Sequence, residues 1–476
     1  MQERTELLAA AAEYVDSGRF REDLARLVSY PTESFSPQGR VALKSYLDDV
    51  IEPAFQAMGC TVNRFDSWRG GANSFLVATW HEDPELPTVL CYGHADVTDG
   101  QAGEWSADRS PWTLSDEGDR WYGRGAADNK GQHWINLVSL RLLLEQQGRL
   151  GFNLVFLLEG AEEIGSPDLA DFAAEHQNLL RSDVFIGSDG PRLAAGSPTV
   201  FLGARGGVSF ELIADLRAGS YHSGNWGGLL RNPATTVAAA VGSLVDGHGI
   251  IQLPGLLPAG IPDSVTAALD VLDLVPNPGD PQADPAWGDQ ALSPAERLYA
   301  WNTLEVLALG AGNPDKPVNA IPGTARAALQ LRFVPGTDVV NLEAAIRKHL
   351  DSAGFGMVEL KMGTSFAASR IDPDNPWVAW AANSLAASTG REATVLPNIG
   401  GSLPSYVFSD VLGLPTLWIP HSHPGCQQHA PDEHLLAEVA REGLQIASGL
   451  FFDLANSHSP ASTGADQPSL TVSSVS

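Results

Sequence analysis

Five short patches gather the histidines and carboxylates that could do chemistry. The first is Gly93-His94-Ala95-Asp96, directly after a run that reads as a buried strand. One residue separates His94 from Asp96, so on an extended segment both side chains point the same way. A carboxylate behind a histidine is a common device for orienting a metal ligand. The second patch, Tyr122-Gly123-Arg124-Gly125-Ala126-Ala127-Asp128-Asn129-Lys130-Gly131, is spaced like a phosphate loop but lacks the third glycine and the preceding buried strand. Its glycines are better suited to bringing Asp128 close to another group. The third, Glu159-Gly160-Ala161-Glu162-Glu163-Ile164-Gly165-Ser166, ends a very apolar strand with adjacent glutamates. Such a pair is costly beside a core unless cations or protons neutralise it. Gly187-Ser188-Asp189-Gly190 again puts an acid at a strand's end, and Gln428-His429-Ala430-Pro431-Asp432-Glu433 precedes the last predicted helix.

A solvated turn would account for any one patch alone. Together they supply two histidines, two or three aspartates and two glutamates. A set rich in oxygen and nitrogen suits Zn2+, Mn2+ or Co2+ and needs no thiolate. Two cations sharing a carboxylate would clamp a water and polarise a carbonyl.

Elements must hold these patches in place. Helical periodicity runs through residues 5–58. Strands are predicted at 74–80, 88–92, 153–158 and 184–186, with helices at 130–147 (closed by Gly148) and 169–176. Helix and strand alternate again at 377–387, 416–419 and 433–451. The fold class is α/β, a mixed and mostly parallel sheet flanked by helices. Between these parts the pattern changes to strands at 208–216, 325–333 and 358–362 and helices at 234–245 and 340–350. Residues 247–295, rich in Pro, Gly and Asp, suggest loops. A small β-α-β-β-α-β two-layer sandwich accounts for this region. The expected organisation is a discontinuous domain of residues 1–205 and 369–455, an inserted α+β domain at 206–368 and a disordered tail at 456–476.

Composition agrees with that plan. The 476 residues exceed what one core usually serves. No run reaches the ~18 apolar residues that would suggest a membrane span, and the N-terminus shows no signal-peptide pattern. Three cysteines make a disulfide framework implausible and point to a cytoplasmic location. A formal charge of −28 argues against nucleic acid and anionic membrane surfaces as partners.

In order and wording the five patches resemble the di-zinc peptidase family that includes carnosinase-type dipeptidases, glutamate carboxypeptidase, succinyl-diaminopimelate desuccinylase and aminoacylase. The likeness covers nearly the whole chain. It implies that His94 is a ligand of one metal with Asp96 behind it, that Asp128 bridges two metals, and that the peptide bond after Asp128 is cis. Asn129 departs from the Asp or Met usual at its position. The likeness further implies Glu162 as general base, Glu163 as ligand of the second metal, Asp189 as the remaining carboxylate on the His94 side, and His429 as the last ligand. His421, His423 and His434 crowd that last motif, but its wording selects His429, and Cys426 is a bystander.

The segment Tyr221-His222-Ser223-Gly224-Asn225-Trp226-Gly227-Gly228 resembles the signature of the dipeptidase branch, in which the histidine reaches the partner subunit's site and polarises the scissile carbonyl. Asn319 and Arg332 match substrate-contacting positions, and Gly401 and Ser402 match the loop that receives a C-terminal carboxylate. The resemblance therefore implies a hydrolase of dipeptides or short peptides with two divalent ions, Zn2+ foremost, that forms a homodimer through residues 206–368, its lid. The alternative is an N-acyl-amino-acid deacylase using the same site. An inactive scaffold would be expected to have lost Glu162 or a ligand, and none is lost.

Overall fold

The computed structural model describes residues 2–272, 274, 281–456 and 459–460. The tail expected at 456–476 therefore lies, apart from Asn456, Ser459 and Pro460, outside the described residues. The chain forms two compact units. One runs to Phe201, resumes over Asp374–Val395 and continues from Val407; the other comprises Leu202–Pro373 and Leu396–Tyr406.

Four apolar strands make the centre of the first unit. Asn153–Glu159, Thr88–His94, Val184–Gly187 and Thr416–Trp418 lie side by side in that order, all parallel. Strands covered on both faces are apolar throughout and do not alternate, and every residue of Asn153–Glu159 is buried. Phe75–Trp80 and then Thr61–Phe65 add antiparallel strands on one side. Thr199–Phe201 and Thr394–Leu396 complete eight strands on the other. The sheet is mixed, with its parallel part in the middle. Helix Lys130–Gln147 packs on Thr88–His94 and against helix Ala437–Asn456. It stops at Gly148, whose positive φ of 70° lets its N–H reach the Leu144 carbonyl. The helix predicted at 433–451 starts only at Ala437, because His434–Leu436 pairs as a strand with Arg120–Tyr122.

The second unit runs Gly206–Asp215, helix Pro233–Leu244, Thr303–Gly310, Thr324–Phe333, helix Leu342–Ser352 and Glu359–Phe366. Its sheet is antiparallel, in the order Thr303–Gly310, Thr324–Phe333, Gly206–Asp215, Glu359–Phe366. Alternation along most of Gly206–Asp215 and all of Thr324–Phe333 turns Phe210, Leu212, Leu329 and Leu331 into one cluster with Val237, Leu244, Ile346 and Leu350 of the helices. Each such burial stabilises by roughly 1.5–3 kcal/mol. Residues 247–295, expected as loops, contain helix Asp263–Asp270 and the start of helix Pro294–Tyr299, which a Ser293/Glu296 capping box opens. Among the described residues no helix is long and apolar enough to cross a membrane.

Candidate metal centre

In sheets of this kind ligands gather at the carboxyl ends of the parallel strands. His94 is the last residue of Thr88–His94 and sits opposite Glu159, the last residue of the neighbouring strand. Glu162 and Glu163 follow in one tight turn, Glu162–Ile164, and Asp189 comes just after Val184–Gly187. Asp128 ends the loop that leads into helix Lys130–Gln147, and its peptide bond to Asn129 is cis. Glycines let that loop fold tightly. Gly125 has φ +85°, and a Cβ on Gly131 would lie 2.1 Å from the Ala126 carbonyl oxygen. His429, at φ +60°, lies in the loop before His434–Leu436.

Asp128 joins the two halves of the cluster. Its Oδ1 lies 3.0 Å from His94 Nε2 and its Oδ2 lies 3.0 Å from His429 Nε2. His94 Nε2 is also 3.6 Å from Asp189 Oδ2, and His429 Nε2 is 3.1 Å from Glu163 Oε2. Two groups result, His94–Asp128–Asp189 and Asp128–Glu163–His429, and in each the ligand atoms lie within 4.8 Å of one another. Asp96 stands behind both. Its backbone carbonyl is 3.1 Å from His94 Nδ1. Its carboxylate accepts the N–H groups of Glu162 and Glu163, each at 3.1 Å, and the Ser34 hydroxyl. Thr98 N–H holds the other oxygen of Glu163 at 3.1 Å.

The electrostatics of the cluster follow from its burial. Burial, together with the Asp128 charge, pushes Glu163 up to about 7. Burial pushes Asp189 up to about 6 despite nearby His94. Glu162 is driven well above the usual carboxylate range, first by burial and then by Asp189, Glu163 and Asp128, against the pull of His94. Burial acts on Asp128 in the same direction, but hydrogen bonds with His429 and His94 hold it below its ordinary value. His429 is raised to about 11 by its hydrogen bonds to Asp128 and Glu163. Among the described residues Asp189 Oδ2 is buried without a hydrogen-bond partner. Packed carboxylates that resist ionisation, one oxygen unsatisfied and two imidazoles at the edges make a donor set that divalent cations fit.

Several contributors were not assigned by the sequence reading. Gln428, which donates to Asp128 Oδ2, and Glu433, which accepts from the Asp128 loop, both lie in the fifth patch, yet nothing in the pattern singles them out. Ser34 carries no local signal at all. His421, His423 and His434 belong to neither ligand group; among the described residues neither ring nitrogen of His421 has a hydrogen-bond partner.

The five residues matched to substrate contacts all lie in the second unit, in two sets. Exposed His222 pairs with Ala320 across a short two-stranded ladder, and Ser223 N–H donates to the Asn319 carbonyl at 2.9 Å. Arg332 Nη1 donates to the Ser402 hydroxyl at 2.8 Å, and that hydroxyl donates to the Arg205 carbonyl at 2.9 Å. Gly401 precedes Ser402 in the Leu396–Tyr406 segment.

A parallel-centred α/β sheet with two groups of histidine and carboxylate side chains gathered near its strand ends is an arrangement that could hold metal ions. The chain belongs to peptidase family M20/M25/M40, whose sequence model matches residues 90–452, and it is an enzyme, a hydrolase of the metallopeptidase class. The beta-Ala-His dipeptidase of Homo sapiens is 28% identical over 401 residues, which cover 80% of this chain and 78% of that protein. The cysteinylglycine-S-conjugate dipeptidase of Corynebacterium striatum is 30% identical over 335 residues, 67% of this chain and 70% of that one. A solved metallo-carboxypeptidase of the family from Sulfolobus solfataricus shares the fold at a TM-score of 0.77 and 24% identity, covering 92% of this chain and 99% of that chain.

Proposed function

We propose that this enzyme is a dipeptidase with two divalent metal ions. The observation that carries the reading is Asp128, one carboxylate with an oxygen 3.0 Å from each of two histidines that belong to separate ligand groups. His94, Asp128 and Asp189 would hold one ion, and Asp128, Glu163 and His429 the other. Zn2+ is the favoured ion, and Mn2+ and Co2+ suit the same donors. Two such cations supply an acidified water and a polarised amide carbonyl. Glu162 is the general base: its carboxylate takes the proton from water and returns it to the leaving amine. Asp96 keeps that base in place by accepting the N–H groups of Glu162 and Glu163.

The substrate end of the reading rests on family likeness and on the names of the relatives. His222 polarises the scissile carbonyl, Asn319 contacts the substrate, and Arg332 with Gly401 and Ser402 receives a C-terminal carboxylate. Residues 206–368 serve as lid and as the surface of a homodimer, with the site completed by the partner's lid. The three cysteines are buried and free, which supports a reducing, cytoplasmic setting.

The test is a panel of dipeptides set against N-acetyl and N-succinyl amino acids, run beside metal analysis. Cleavage of dipeptides, about two metal equivalents per chain, and loss of activity on chelation are the expected results. Turnover that survives exhaustive chelation defeats the two-metal reading, and exclusive cleavage of the acyl amino acids makes the enzyme a deacylase.

A further inference from the structure

Glu433 lies in the same loop as His429 and holds no place among the metal ligands or the proton carriers. Its carboxylate is 1% exposed, and its acceptor capacity is turned on a single loop. Oε1 accepts the N–H groups of Ala127 at 2.9 Å and of Asp128 at 3.0 Å. Oε2 accepts Gly125 N–H at 3.1 Å and Arg124 Nη1 at 2.8 Å, and the Glu433 carbonyl accepts Gly123 N–H at 2.9 Å. Arg124, itself wholly buried, carries the brace onward through Nε to the Asp99 carbonyl at 3.0 Å and Nη2 to Gln101 Oε1 at 3.1 Å. At its own end, His434 N–H closes back on the Cys426 carbonyl at 2.9 Å, gathering the loop that contains His429.

We infer that Glu433 is a positioning residue that sets the separation of Asp128 from His429 and so tunes one metal site more than the other. The inference rests on reading the two ligand groups as metal sites. In Asp128–Glu163–His429, two of the three ligands hang on Glu433: Asp128 through its own N–H, His429 through the short chain between them. In His94–Asp128–Asp189 only Asp128 does. The other two have holds of their own, His94 by its strand and Asp96, Asp189 by Gly190 N–H at 2.6 Å. Both also meet Asn129, the residue after Asp128, which accepts His94 N–H at 3.4 Å and hydrogen-bonds Asp189. Partners of this kind set ligand distance and orientation, and their loss typically weakens metal binding about 10–100-fold.

The experiment uses full-length enzyme loaded with Zn2+ and a graded chelator, with bound metal counted and the metal-free form melted separately. Glu433→Gln removes the charge; Glu433→Asp keeps the charge and its pairing with Arg124 but draws the carboxylate back by one methylene, which protects against misfolding. Glu163→Gln and Asp189→Asn mark which equivalent belongs to which group. Both Glu433 variants should release the Glu163-marked equivalent at about 10–100-fold lower chelator while the Asp189-marked equivalent shifts far less. Equal weakening of both equivalents, or a lower melting temperature of the metal-free form with both affinities intact, overturns the inference and leaves Glu433 as the structural counter-charge of Arg124. If the unsubstituted enzyme binds fewer than two equivalents, it is the two-metal reading that fails, before any variant is compared.

Discussion

Glu162 and Glu163 are neighbours in sequence, but their surroundings suit them to different work. Glu163 has both oxygens engaged, one by Thr98 N–H and one near His429. Glu162 belongs to neither ligand group, and burial with three nearby carboxylates raises its proton affinity against the pull of His94, which suits a carboxylate that is to take a proton from water and pass it on. Glu162→Gln should therefore fold, keep its metal and lose ~10²–10⁴-fold in kcat, whereas Glu163→Gln should lose metal first and regain part of its activity in excess Zn2+. Near wild-type turnover in Glu162→Gln would mean that the base has been misassigned. At this scale the sequence was legible where a histidine or an acid stands at a strand end, as with His94 and Asp189, which the fold brings together. Asp96 was half legible. Its place behind His94 follows from the one-residue spacing, but its grip on the N–H groups of Glu162 and Glu163 joins segments far apart in sequence, and no local pattern encodes it.

Elements were legible in proportion to their burial pattern. Helix Lys130–Gln147 was predicted to the residue because Gly148 marks its end, and the parallel strands declared themselves as unbroken apolar runs. Thr303–Gly310 has no counterpart among the predicted strands: it is an edge strand exposed along most of its length, so no buried face imposes alternation on it. Helix Lys130–Gln147 also carries a consequence of burial. His133 is buried to the point that its imidazole is pushed down to about 3, and its Nε2 lies 2.8 Å from the Tyr46 hydroxyl. The folded protein keeps this ring neutral, while an unfolded chain protonates it below its ordinary value of 6.5. The unfolded state then binds more protons, so stability is lost as pH falls from 6.5 toward 3, by on the order of a few kcal/mol. His423, which burial lowers to about 4, adds to the same trend. Urea unfolding at about pH 7.5 and about pH 5 should show His133→Gln losing less stability on acidification than the unsubstituted protein. Equal losses in both proteins would place the acid sensitivity elsewhere.

At the scale of the whole molecule, the strand that escaped prediction is the best candidate for a subunit contact. Thr303–Gly310 pairs on one side with Thr324–Phe333 and ends its sheet on the other. It exposes Val306, Leu307 and Leu309 at 41%, 60% and 55%. A bare apolar edge is an open template for another strand unless something covers it, and a second copy of the same edge is the cover proposed here. Exposed Tyr221 and Trp226 flank His222 in the same unit, consistent with a histidine offered to a partner. Leu307→Lys should put a charge into the proposed contact and yield a monomer with low activity and an unchanged metal content, read by sedimentation and elemental analysis. Complementation is the sharper test. Glu162→Gln chains and His222→Ala chains are each expected to be nearly inactive. If sites are completed in trans, a mixed dimer contains one site with Glu162 from one chain and His222 from the other, and activity should recover to a fraction of that of the unsubstituted enzyme. No recovery after verified subunit exchange, or full activity in a protein that stays monomeric at assay concentration, would remove the shared site and leave each chain to complete its own.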